Sequence, residues 1–163
     1  MSISPLWAAD ENVLYKLLSD ILDAVVRTFD DAGIDLPNRR YVSLGAVAAD
    51  CEQLTVQLDQ LYKGTPGGDP GEIQRCNGPR TVACTVQLFR KTAALGSYDS
   101  EFPPVPALDS SAQTHLRDIW VMMDASDEIA GTGLQGGIIS EASAQEAAGE
   151  MVGINMTIAI AVP

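Results

Sequence analysis

The chain has 163 residues, 22 of them acidic and 10 basic, giving a formal net charge of −12 with 46% apolar residues. That apolar content excludes disorder of the whole chain, and the acidic balance excludes a nonspecific grip on nucleic acid, which needs Lys and Arg on phosphates. The longest nearly apolar stretch, Met151–Val162, falls short of the ~20 residues that cross a membrane, and the first residues lack the pattern of a signal peptide.

The length suits one domain, read here over residues 1–163, with a core that needs no staples. From Val13 to Phe29 the residues Leu14, Leu17, Leu18, Ile21, Leu22, Val25, Val26 and Phe29 recur at three- and four-residue spacing. This pattern predicts a long amphipathic helix, with Asp10 as its N-cap, Glu11 in its first turn and Gly33 as its stop. Tyr41–Leu44 reads as a short strand. In the next strand Leu54, Val56 and Leu58 share one face and Thr55, Gln57 and Asp59 the other.

Lys63–Pro79 is a Gly- and Pro-rich loop leading into a third strand, Thr81–Arg90. There Val82, Cys84, Val86 and Leu88 point one way, so Cys84 reads as a small core side chain. Ala94–Leu108 is irregular. A second helix is predicted from a cap at Asp109 or Ser110, with Leu116, Ile119, Trp120 and Met123 as its buried stripe, fading near Gly131–Gly133. Gly131–Gly149 stays open: Ile138–Ile139 can add strand, and Glu141–Ala148 fits a short helix or an exposed loop. The last strand places Val152, Ile154, Met156, Ile158, Ile160 and Val162 on one face, with Gly153, Asn155, Thr157, Ala159 and Ala161 on the other. The predicted fold is α+β: a mainly antiparallel sheet of four to five strands with two principal helices packed on one face.

Candidate chemistry is sparse. His115 has Asp118 three residues on and Asp109 six residues back, a pairing suited either to a dyad or to a surface histidine near a helix start; no nucleophile elbow accompanies it. Asp20, Asp23, Asp30 and Asp31 lack the spacing of a calcium loop and read as a solvated helix face. The glycine-rich run Gly64–Gly71 has no following Lys-Ser/Thr, and its prolines remove donors that a phosphate cradle needs. Cys51, Cys76 and Cys84 form no CxxC pair, and with one histidine a zinc site is not expected; a Cys51–Cys76 bridge stays open. No cofactor, metal site or catalytic residue is assigned.

Positive charge is concentrated at Arg39 and Arg40, and at Arg75 and Arg80, which suits loop anchoring within the chain or pairing across a subunit contact. The loops, the small-residue face of the last strand, Trp7 and Trp120 are surfaces suited to assembly. The interface candidates are Arg39, Arg40, Arg75, Arg80, Asp69, Asn155 and Thr157.

The segments Asp35–Val42 and Asp50–Val56, then Gln74–Cys76 and Pro79-Arg80, resemble a family of actinobacterial siphophage tail terminators, over about residues 14–90. The resemblance implies an α/β-type structural subunit of the virion neck, assembled in the host cytoplasm and not an enzyme. It implies a homo-oligomeric ring, usually a hexamer, that caps the tail tube, stops its growth and meets the head connector or stopper. DNA would pass through the lumen without being bound, and much of the −12 charge would face that channel and repel phosphates. Two alternatives stand beside it: another neck or tail-tube subunit, and a small cytosolic enzyme or ligand-binding domain using His115.

Overall fold

A computed structural model describes residues 12–67, 79–92, 103–131, 138–148 and 150–162. Helix α1 (Val13–Asp31) buries Leu17, Leu18, Ile21, Ala24, Val25 and Phe29, the face its periodicity predicts. Its N-cap is Asn12, whose side-chain oxygen accepts from the Tyr15 N–H at 3.0 Å. Asp10, the cap expected from sequence, lies outside the described residues. At the other end the Ile34 N–H donates to the Phe29 carbonyl and the Gly33 N–H to that of Asp30. Gly33 takes φ +68°, so it supplies the left-handed residue that this paired closure requires. Phe29 and Ile34 are both buried, which seals the turn with an apolar contact.

The strands are β1 (Arg40–Ser43), β2 (Gln53–Lys63), β3 (Arg80–Lys91), β4 (Ile138–Ala148) and β5 (Met151–Val162). They form one sheet in the order β1-β2-β3-β5-β4. Only β1 pairs in parallel, with β2; the other three pairings are antiparallel. The α+β class, the predominantly antiparallel sheet and the two helices agree with the sequence expectation.

Three details differ from it. Residues 138–148 form a full edge strand, whereas Glu141–Ala148 allowed a short helix or a loop. Pairing along β5 overrides the helical preference of its Ala and Glu residues. In β2 the register shifts between Leu58 and Gln60, so Asp59 is an extra residue and strict alternation ends there. Helix α2 (Val105–Gly131) begins before Asp109, inside the stretch expected to be irregular. Pro104 supplies the first acceptor, to the Ala107 N–H at 2.9 Å, and Pro106 sits in the opening turn, where a missing N–H costs nothing.

The loop after β2 is closed at its base. Gly64 N–H donates to the Pro79 carbonyl at 2.7 Å, and the Thr81 hydroxyl donates to the Gly64 carbonyl at 2.7 Å.

Both helices cover the same sheet face, α1 over β1 and β2, α2 over β5 and β4. One core joins them to Leu54 and Val56, to Val82, Cys84, Val86 and Leu88, and to Ile154, Met156, Ile158 and Ile160. Among the described residues no helix is long and apolar enough to cross a membrane.

Candidate functional site

Helix α2 is where the structure departs furthest from its sequence pattern. Its buried face carries Val121, Met122, Ala125 and Ile129 together with three polar side chains, His115, Asp118 and Ser126. Of the stripe expected to be buried, Ile119 and Met123 are half-buried, while Leu116 is 67% and Trp120 74% exposed. The helix turned its polar residues inward because a partner awaits one of them. Arg90 on β3 donates from Nε to the fully buried Asp118 carboxylate at 2.5 Å, and Arg117 adds a bond at 3.2 Å. The second arm of Arg90 reaches the Asp35 carbonyl at 2.7 Å, so one guanidinium clamps α2, β3 and the turn after α1. Ser126 satisfies its hydroxyl on the Met123 carbonyl of its own helix at 2.7 Å.

His115 completes this cluster without a hydrogen bond. It is 8% exposed, and neither ring nitrogen has a partner among the described residues. Burial holds its pKa below the usual value, Asp118 opposes that, and Arg90 adds to it. The ring is therefore held neutral. Asp118 is occupied by two guanidiniums and is not oriented on His115 by any hydrogen bond, so the His–Asp spacing read from sequence does not produce a hydrogen-bonded dyad here. Among the described residues no group of three His, Cys, Asp or Glu side chains is placed to hold a metal ion.

The first three turns of α2, residues 105–114, contain no buried side chain. Val105 is 68% and Leu108 44% exposed, and with Leu116 and Trp120 they form an uncovered apolar stripe.

The second candidate surface is the sheet face that bears no helix. Thr55, Gln87, Asn155 and Ser143 form one cross-strand row on it, and Gln57, Thr85, Thr157 and Glu141 the next. The Asp59 bulge tightens this face by accepting from the Thr85 hydroxyl at 2.6 Å and from Gln57 at 3.2 Å. Thr55 Oγ1, Gln87 Oε1 and Asn155 Oδ1, all in the first row, are buried without a hydrogen-bond partner among the described residues.

The candidate residues from sequence do not form one cluster. Asn155 and Thr157 lie on this helix-free face. Arg40 is an anchor within the chain, donating to the carbonyls of Pro37 at 2.8 Å and Leu36 at 3.4 Å. Arg39 lies over the Tyr41 ring at 5.4 Å and donates to Cys51 Sγ at 3.1 Å, a contact that raises the guanidinium pKa. Arg80 opens β3 opposite Lys63, whereas Arg40 shares a row with Leu54 and Leu88. Those rows are separated along β3 by roughly 26 Å at strand rise. Arg75, Asp69, Trp7 and Cys76 lie outside the described residues. Sequence reasoning passed over Arg90, whose only signal was a charge at the end of an otherwise alternating apolar strand. Neither a scan against protein-family models nor a search of curated proteins finds a match to this chain.

Proposed function

We propose that the chain is a structural subunit of the tail-terminator type, forming a closed homo-oligomeric ring, a hexamer by the resemblance, on the last ring of a phage tail tube. In this role it stops tube growth and presents a surface to the head connector, while DNA passes through the lumen. The observation that carries the reading is the sheet itself. At the centre of its helix-free face Ala83, Thr85, Gln87, Asn155, Thr157 and Ala159 present small or neutral polar side chains, with the carboxylates of Asp59 and Glu141 to either side. The part of that face open to a neighbouring subunit is the next row, where Thr157 and Glu141 are exposed and Thr85 is half-buried.

A ring needs two different patches on opposite sides of each subunit. Strands β1 and β4 form the two opposite edges of the sheet, which gives a head-to-tail contact its two sides. Two of the segments that carry the resemblance, Asp35–Val42 and Asp50–Val56, supply most of β1 and the start of β2 at one of these edges. Exposed acids, including Asp23, Asp30, Asp124 and Asp127, lie on the outer surfaces of the helices. In a ring whose helices face the channel, these carboxylates repel phosphate and keep DNA from adhering.

Negative-stain images of the purified protein, alone and with tube protein, test the reading. Closed rings that cap tubes are the expected result. Open-ended polymers would instead identify a tube subunit, and strict monomers under both conditions would rule out the ring.

A further inference from the structure

We infer that the uncovered stripe on α2 is a self-recognition surface, which pairs with α2 of a second copy of this chain in antiparallel fashion about a twofold axis near Ala112. The stripe consists of Val105, Leu108, Ala112, Leu116 and Trp120, all exposed. Residues 105–114 have no fully buried side chain: Ala107, Ser111 and Thr114 are half-buried on one side of the helix, and the apolar stripe lies on the other, open side. The pattern of that stripe fits a second copy of the same helix.

The spacing is symmetric about its middle. Leu108 lies four residues before Ala112 and Leu116 four residues after it, while Val105 and Trp120 lie seven before and eight after. Two such helices laid antiparallel therefore set Leu108 against Leu116 of the second copy, and Val105 against Trp120 of the second copy. Ala112 sits at the crossing, where a small side chain lets the axes approach to the 8–10 Å of packed helices.

Charge agrees with this register. A twofold axis between antiparallel helices brings the same flank of each copy together. Asp109 and Arg117 are both exposed and both lie on one flank of the stripe, four residues either side of Gln113. Asp109 of each copy thus meets Arg117 of the other, giving two opposite-charge pairs. A parallel twofold pairing brings opposite flanks together, so Asp109 would meet neither Asp109 nor Arg117 of the other copy, and the two opposite-charge pairs form only in the antiparallel arrangement.

The exposed apolar area covers more than half of one partner's share of an interface. The exposed parts of the four large side chains amount to roughly 450–500 Å², on the scale of patches that mark interaction sites. A standard interface removes about 800 Å² per partner, of which about 65% is apolar in homodimers. The stripe supplies that apolar centre. The contact leaves both sheet edges uncovered but takes up the outer face of α2, so this pairing and a ring that turns α2 to its channel exclude one another in the same subunit.

The test uses the whole chain. Sedimentation velocity over a concentration series should show a monomer–dimer equilibrium that Trp120→Ser weakens at least thirtyfold. Asp109→Arg or Arg117→Glu alone should raise the dissociation constant roughly five- to thirtyfold, and the double variant should restore it. Because Arg117 also touches Asp118, a second measurement avoids that residue. Ala112→Cys, at an exposed position, should yield an oxidised covalent dimer on a non-reducing gel, whereas Asp124→Cys, off the crossing, should not. Failure of Ala112→Cys to cross-link overturns the antiparallel pairing even if rings form. Failure of the double charge swap to restore association in a folded variant does the same. A monomer at every concentration assigns the stripe to a different protein and also overturns the proposal. Loss of rings with the cross-link intact would count against the ring alone.

Discussion

Arg90 Nε on β3 donates to Asp118 Oδ2 on α2 at 2.5 Å, with the carboxylate fully buried and the guanidinium nearly so. This pair fixes the rotation of α2, and through it decides which helix residues face water. Removing one member strands the other charge in a desolvated place. Asp118→Ala is therefore expected to destabilise the fold by about 3–5 kcal/mol, read from denaturant midpoints at unchanged m-value. The paired change Arg90→Met with Asp118→Leu should recover much of that loss, because apolar replacements of similar size carry no desolvation cost. If the double variant is as unstable as the single one, the pair is not the source of the loss.

His115 gives the fold a pH dependence of definite sign. Its folded pKa lies below the ordinary 6.5, first because of burial and then because of Arg90, with Asp118 opposing. As pH falls through about 6.5 the unfolded chain takes up a proton that the folded ring still refuses. Stability is fully present above that value and declines from there down to the folded pKa. Unfolding curves between pH 7.5 and 5 should show this decline in the natural chain, and His115→Leu should remove its share of the slope. At pH 7 the same variant is expected to be at least as stable, since it removes two ring nitrogens that lack partners. A variant with the natural slope would place the titration elsewhere.

The ends of α1 make separable contributions. Asn12→Ala deletes the acceptor for the Tyr15 N–H, and is expected to cost about 1 kcal/mol. Gly33→Ala forces a side chain into φ +68° although nothing lies within 4 Å of the added carbon. Its cost, about 1 kcal/mol, is thus backbone strain alone, and Gly33→Asn should be milder than Gly33→Ala. Equal losses for Asn and Ala would show that the left-handed conformation is not what matters.

Legibility followed periodicity. In α1, and on the helix-facing side of β3 and β5, the apolar residues mark the buried face, because the core there is apolar. In α2 that rule misleads. Asp118 is buried by a partner 28 residues away in sequence, while Leu116 and Trp120 remain outside. No local pattern on α2 announces Arg90, so hydrophobicity alone assigns the stripe to the core. Strand β4 was hidden for a related reason, since an edge strand rich in Ala and Glu takes its conformation from β5 rather than from its own preferences. The polar row on the helix-free face was partly visible as the alternate residues of β2, β3 and β5. Its alignment into one row depends on the register, which alternation leaves undetermined.

The two described cysteines should differ sharply in reactivity. Cys84 faces the core with no exposure, and burial, aided by the charge of Asp59, pushes its pKa up to about 12. At pH 8 it is a thiol, not the thiolate that reacts. Cys51 is only half-buried, just before β2, so a reagent in solution can reach its sulfur. With Cys76 replaced by Ser, a thiol reagent at pH 8 should label one site promptly and the second only as the protein unfolds. Denaturant should bring the slow phase to the global unfolding rate, because Cys84 lies in the core shared by both helices and the sheet. Prompt labelling of both sites in the native protein would mean that β3 opens locally, and that the core over it is less continuous than its packing implies.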